Sequence, residues 1–140
     1  MKKIFLLLAI PFFAIKGIGQ QKNFNDLIGR WEIIGEQSAG ACLEIIDSVN
    51  MILIYSGEKK KILDCKFDFA KSPIWFDFSA EDSTSSIVIV KSLIEIMNNN
   101  MIKWQLFIDG DRTDHFSSAK GELFYLRKAK PGISTARINN

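Results

Sequence analysis

The sequence predicts an all-β protein, an eight-stranded antiparallel up-and-down barrel entered through one short helical turn. Three observations predict it. Apolar runs rich in β-branched and aromatic residues recur between residues 30 and 128 at intervals of about ten residues. Within several runs apolar and polar side chains alternate, as they must when one face of a strand meets a core and the other meets water. Gly, Asn, Asp and Ser clusters separate the runs, so each connection reads as a hairpin and parallel crossover folds are disfavoured.

The chain opens with Met1-Lys2-Lys3, then the apolar run Ile4 to Ile15 broken only by Pro11, then Gly17 and Gly19. A basic start, a short hydrophobic stretch and two small residues two apart make a secretory signal over residues 1–19. The run is too short for a stable bilayer-spanning helix, which needs about 20 residues. Removing Lys2, Lys3 and Lys16 with the signal leaves 15 basic against 16 acidic residues, a net charge of −1. That balance gives nucleic acid no electrostatic hold. Residues 20–128 are then the barrel domain and 129–140 a flexible tail, with the product exported, soluble, periplasmic or extracellular, and not inserted in a membrane.

Asn25-Asp26-Leu27-Ile28 reads as one helical turn capped by Asn23 or Asn25 and ended by Gly29. Strands are expected near 30–36, 41–47, 50–56, 61–69, 74–79, 86–97, 101–108 and 120–128. Leu63, Cys65, Phe67 and Phe69 should share one face, as should Ile102, Trp104, Leu106 and Ile108. Ser56-Gly57, Asn98-Asn99-Asn100 and Asp109-Gly110-Asp111 supply turn chemistry. Lys59-Lys60-Lys61 after Glu58 reads as a solvated hairpin end.

Leu27-Ile28-Gly29-Arg30-Trp31 opening an eight-strand meander resembles the Gly-x-Trp signature of lipocalins, and Leu126-Arg127 resembles the last-strand element of that family. Ser72-Pro73-Ile74-Trp75-Phe76-Asp77 and Asp109-Gly110-Asp111-Arg112-Thr113-Asp114-His115-Phe116 resemble elements of short bacterial lipocalin-like domains. The resemblance implies a calycin-type barrel over about residues 24–128, with Gly29, Trp31 and Arg127 as structural residues and Arg127 packed over the Trp31 indole. It implies no common activity.

Candidate chemistry is sparse. His115 is the one histidine and sits beside Asp114 rather than beside a nucleophile, so no catalytic residue is assigned and an enzyme is not expected. Asp109, Asp111 and Asp114 lack the spacing and closing glutamate of a calcium loop, so no metal or cofactor is expected. Cys42 and Cys65 are a natural disulfide suspicion in an exported chain. The simplest registers, Asp47 opposite Asn50 and Tyr55 opposite Lys60, set them about 16 Å apart and two strands away, so free thiols are expected.

The aromatic residues carry the functional question. Tyr55, Phe67, Phe69, Phe76 and Trp104 are the candidate ligand-binding set, and the same rings can instead fill the lumen. The leading expectation is a non-enzymatic envelope binding protein holding a small apolar molecule in the barrel mouth. The alternative is a protein-interaction module, an envelope inhibitor or accessory subunit, with a filled barrel and an envelope protein as partner. A lumenal cavity lined by Trp104 and Phe67 favours the first, a packed lumen with exposed apolar surface the second.

Overall fold

A computed structural model describes residues 22–35, 40–55, 57–108 and 110–131. The expected signal segment, Ser56, Asp109 and the tail from residue 132 onward lie outside the described residues. A 3₁₀ turn, Phe24–Leu27, is followed by β1 (Gly29–Ile33), β2 (Cys42–Ile45), β3 (Met51–Tyr55), β4 (Glu58–Asp68), β5 (Ile74–Glu81), β6 (Ile87–Asn98), β7 (Met101–Phe107) and β8 (Glu122–Lys128). Each strand pairs antiparallel with the next, and β8 pairs with β1 to close the barrel. Up-and-down order puts the 3₁₀ turn and the connections 46–50, 69–73 and 99–100 at one end, which the turn plugs. The connections 34–41, 56–57, 82–86 and 108–121 leave from the other, open end. No helix among the described residues is long and apolar enough to cross a membrane.

The plug is built from local chemistry. Asn23 caps the turn by accepting from the Asn25 amide, while Asp26 accepts from the Asn23 amide, a reciprocal capping box. Leu27 is fully buried, and its carbonyl accepts a 2.7 Å hydrogen bond from Trp31 Nε1. The turn is thereby tied to the base of β1. Gly29 has φ +135°, a conformation that residues with a Cβ rarely adopt, so the backbone favours glycine; a Cβ there would lie 2.9 Å from Lys128 Cε, the far end of a flexible side chain that can shift.

That lysine corrects the expected closure. The β1–β8 register sets Trp31 opposite Lys128 and Glu32 opposite Arg127. Opposed residues share a face, so Lys128 joins Trp31 inside, with Nζ 5.0 Å from the ring centroid. Arg127 faces outward, two-thirds exposed, with its guanidinium 3.9 Å from Glu32 Oε2. The cation over the indole is Lys128, one position beyond the residue expected there.

Two other expectations shift. The β3–β4 hairpin turns tightly, pairing Tyr55 with Glu58 around Gly57 at φ +79°, so Lys59, Lys60 and Lys61 are strand residues opposite Ile54, Leu53 and Ile52. In β4, Asp64 adopts φ +48° and the pairing with β5 jumps between Leu63 and Lys66. This β-bulge reverses the alternation. Ile62 is in the core before it, and Cys65, Phe67 and Phe69 pack on the core after it. Leu63 instead pairs with the outward Ser79, off the face expected for it. The Asp64 carboxylate accepts a 2.8 Å hydrogen bond from Ser79 Oγ, which supports the bulge.

Two aspartates organise the hairpins at 46–50 and 82–86. Asp47 accepts from the Val49 and Asn50 amides and from Asn50 Nδ2, and Asp82 from the Thr84 amide and hydroxyl and the Ser86 amide. The Asn50 side chain in one case and the Thr84 side chain in the other hold these carboxyls below the usual range. The tail starts attached, with Ala129 N donating to Arg30 O at 2.8 Å.

The exchange of roles between neighbouring cations is measurable. Lys128→Ala should cost about 1 kcal/mol in urea unfolding, through the lost cation–π contact and stem packing. Arg127→Ala should stay within about 0.5 kcal/mol, as for an exposed pair. The reverse ranking would show that Arg127 is the closing cation.

Candidate functional site

The lumen is occupied by a column of rings. Phe24 from the plug meets Phe67 edge-on at 5.3 Å, and Phe67 stacks on Phe69 at 5.7 Å and on Phe76 at 4.2 Å with ring planes 4° apart. The column continues through Phe78 and Trp104, whose centroids lie 4.9 and 6.3 Å from Phe76, and ends on Phe124, 6.3 Å from Trp104. Phe76 and Trp104 are fully buried. Offset and edge-on packing of this kind adds to the area term for each ring. The one polar atom of the column is satisfied: Trp104 Nε1 donates to Ser92 Oγ at 3.0 Å, and that hydroxyl donates to the Phe76 carbonyl. Ser92 sits on the inner face because it pairs with Phe76 on one side and Leu106 on the other.

The five candidate ligand residues therefore separate. Phe67, near the plug end of β4, packs against Phe24, and Phe69, just past the end of β4, stacks on Phe67, both away from the mouth in which a ligand was expected. Phe76 and Trp104 are core. Tyr55 ends β3 at the open rim, 52 % exposed. The reason is direction: β4 runs from the open end to the plug, so its later residues belong to the closed half, which alternation alone does not reveal.

A second layer, found only in the fold, covers part of the outer wall. The β7–β8 connection, 108–121, folds back over outward residues of β5, β6 and β7. Leu93 and Gln105 pair with each other across β6 and β7 on the outer face, yet both are completely buried, and Phe107 nearly so. Gln105 fastens the strap: Nε2 donates to the Ser117 and Lys120 carbonyls at 2.6 Å each, and Oε1 accepts from the Ser117 amide at 2.9 Å. Arg112 fastens its other limb, with the guanidinium 3.7 Å from the Trp75 ring centroid and ion-paired to Asp77. Lys103 Nζ lies 4.2 Å from the Phe116 ring centroid. Arg112 is 9 % exposed in its side chain, and its Nε is buried without a hydrogen-bond partner in the described structure.

Trp75 and Asp77 from the stretch 72–77 thus meet Arg112 from the β7–β8 connection. The sequence signal was present in Trp75 and Leu93, apolar residues at outward positions where alternation calls for polar ones. Gly121 marks the return of the strap: at φ +69°, a Cβ would come 2.3 Å from the Leu106 carbonyl. A cleft of about 610 Å³ lies between the roots of the strap and is lined by Leu106, Phe107, Ile108, Lys120 and Glu122 among others. It contains none of the candidate ligand residues.

The remaining chemistry is dispersed. His115 and Asp114 are exposed in the strap. Asp111 is solvent-exposed and takes a 3.0 Å hydrogen bond from Lys91, which holds its carboxyl below the ordinary value. Among the described residues no group of three or more His, Cys, Asp or Glu side chains is placed to hold a metal ion. Cys42 and Cys65 are free. The observed registers differ from those expected, with Cys42 opposite Ile54 and Ile54 opposite Lys59, yet Cys65 still lies six residues further along β4, about 20 Å. Burial pushes both thiols up. Compared with known proteins, the chain matches no family model, no curated protein and no solved structure.

Two measurements check this site. Thiol titration of the denatured, unreduced protein should find both cysteines, with slow reaction in the native state; finding neither would reveal a bridge. Arg112→Met should cost about 1 to 3 kcal/mol and open residues 108–121 to limited proteolysis while the barrel core stays protected from hydrogen exchange. Arg112→Lys should restore the protection only in part, because an ammonium cannot stack on Trp75 as a planar guanidinium does. Unchanged cleavage in both variants would show that the strap does not depend on Arg112.

Proposed function

We propose that this protein is an exported, lipocalin-like interaction module, an envelope inhibitor or accessory subunit, that works through its outer surface around a filled barrel. The observation that carries the reading is the column of seven rings from Phe24 to Phe124, which occupies the space an apolar ligand needs. An eight-stranded barrel has room for packed side chains or one small ligand, and here buried Trp104 and Phe76 take the middle of the lumen. Surface apolar residues remain available. Ile34, Leu123 and Tyr125 are exposed at 48, 39 and 40 %, and the Ile34 amide donates to the Tyr125 carbonyl, placing them together at the β1–β8 seam. Apolar surface gathered at a seam is the kind that partner proteins cover.

The carrier reading rests on the rim, where Tyr55 is half-exposed and Leu53, Ala80 and Val88 are only partly buried. One variant separates the two. In a packed lumen, wild-type protein binds no fluorescent apolar probe, and Trp104→Ala opens a dry cavity that costs about 3 to 5 kcal/mol and begins to bind it. Stoichiometric probe binding by the wild type, weakened by Trp104→Ala, would overturn the interaction module in favour of a carrier.

A further inference from the structure

The two ends of the barrel differ in charge. The connections at the open end, 34–41, 56–57, 82–86 and 108–121, hold five acidic side chains, Glu36, Asp82, Asp109, Asp111 and Asp114, against two basic ones, Arg112 and Lys120. At the plugged end, residues 22–28, the connections 46–50, 69–73 and 99–100, and residues 129–131 hold Lys22, Lys71 and Lys130 against Asp26 and Asp47. Both of these acids already serve backbone amides, Asp26 that of Asn23 and Asp47 those of Val49 and Asn50. β8 runs toward the plug, so the chain past Pro131 continues from this end, and it adds Arg137 and no acidic side chain. The strand residues bordering the plug, Asp68 and Lys128, cancel.

Apolar side chains are exposed at both ends, so exposure alone selects neither; charge does. We propose that the plugged end docks on the surface of an anionic phospholipid membrane. Val49 stands at the tip of the β2–β3 hairpin, 68 % exposed, and Ile46 in the same connection, Ile28 before β1 and Met97 near the end of β6 are exposed as well. In a closed ring of eight strands the β2–β3 and β6–β7 hairpins lie on opposite sides. Cations fill the remaining quarters: Lys71 in the β4–β5 connection and Lys130 after β8, while Lys22 lies by β6, its Nζ donating to the Ile96 carbonyl at 2.8 Å. A protein partner covers one contiguous apolar patch, whereas separate apolar tips and lysines spread around a ring suit a planar, fluid surface. The tips enter the headgroup layer and the lysines meet lipid phosphates, each cation adding to the hold. The amino-terminal chain joins at the same end. The apolar run ending at Ile15 connects to Lys22 through residues 16–21, a span of at most about 20 Å, so the unprocessed chain presents this end to a membrane too. The contact is peripheral, with no segment of the barrel crossing the bilayer. It turns the open end and the strap away from the lipid, and it stands apart from whether the lumen or the seam carries the function.

Flotation of the processed protein, purified from its envelope, with vesicles of phosphatidylcholine alone or with about one-third phosphatidylglycerol tests it. Binding to the anionic vesicles should be at least about tenfold tighter than to phosphatidylcholine and should weaken as salt is raised. On those vesicles hydrogen exchange should slow at residues 46–50 and 97–101 and stay unchanged at 82–89. Val49→Asp should weaken binding at least about tenfold with an unchanged thermal midpoint, because it removes an apolar tip and adds a charge that the lipid repels. Ile89→Asp, the same change of charge at an exposed site toward the open end, should leave binding intact. Equal binding to both kinds of vesicle, slowed exchange at 82–89 instead of the plugged end, or binding that ignores Val49→Asp would each overturn the proposal. So would no binding to anionic vesicles, which would leave the cationic end to an acidic protein.

Discussion

Eight short strands close a cylinder too narrow to stay empty, and the need to fill it governs the rest of this structure. Filling falls to rings because each aromatic side chain covers a large area with few torsions to freeze. Phe67 on Phe76, then Trp104, then Phe124 carry contact from one wall to the opposite one. A stack of this kind tolerates one polar atom only if that atom is paired, which explains a buried serine at Ser92 between the Trp104 indole and the Phe76 carbonyl.

The outer wall is where the chain departs from a simple barrel. A strand face that meets water ordinarily carries polar residues, but Trp75, Leu93, Gln105 and Phe107 form an outward row that the strap covers. Among its described residues the strap forms no helix or strand between 108 and 121, so its backbone groups need partners on the barrel. Gln105 supplies three of them at once. Arg112 contributes by stacking and ion pairing, with one nitrogen left unpartnered as the cost of that fit.

Closure at the β1–β8 seam is short, three residue pairs. The plug therefore matters beyond covering an end. Leu27 fills the base of the barrel, its carbonyl holds the Trp31 indole, and Lys128 crosses the glycine at position 29 to lie against the same ring. First and last strands are joined as much by these side chains as by the ladder.

The sequence by itself determined the class of fold, because strand alternation and turn residues are local. Ile102, Trp104 and Leu106 share an inner face as their spacing requires, and the 3₁₀ turn and the hairpin order follow from nearby residues. What only the tertiary structure decided were matters of register and direction. The bulge at Asp64 turned Leu63 outward, the two-residue turn at Gly57 drew three lysines into β4, and the β1–β8 alignment gave the Trp31 ring to Lys128 instead of Arg127. Likewise, only closure of the barrel placed Phe67 and Phe69 at the plug and Tyr55 at the mouth, and brought Arg112 to Trp75 and Asp77. A one-residue slip changes which face a side chain occupies, and such slips are set by contacts between strands far apart in sequence, which no local pattern records.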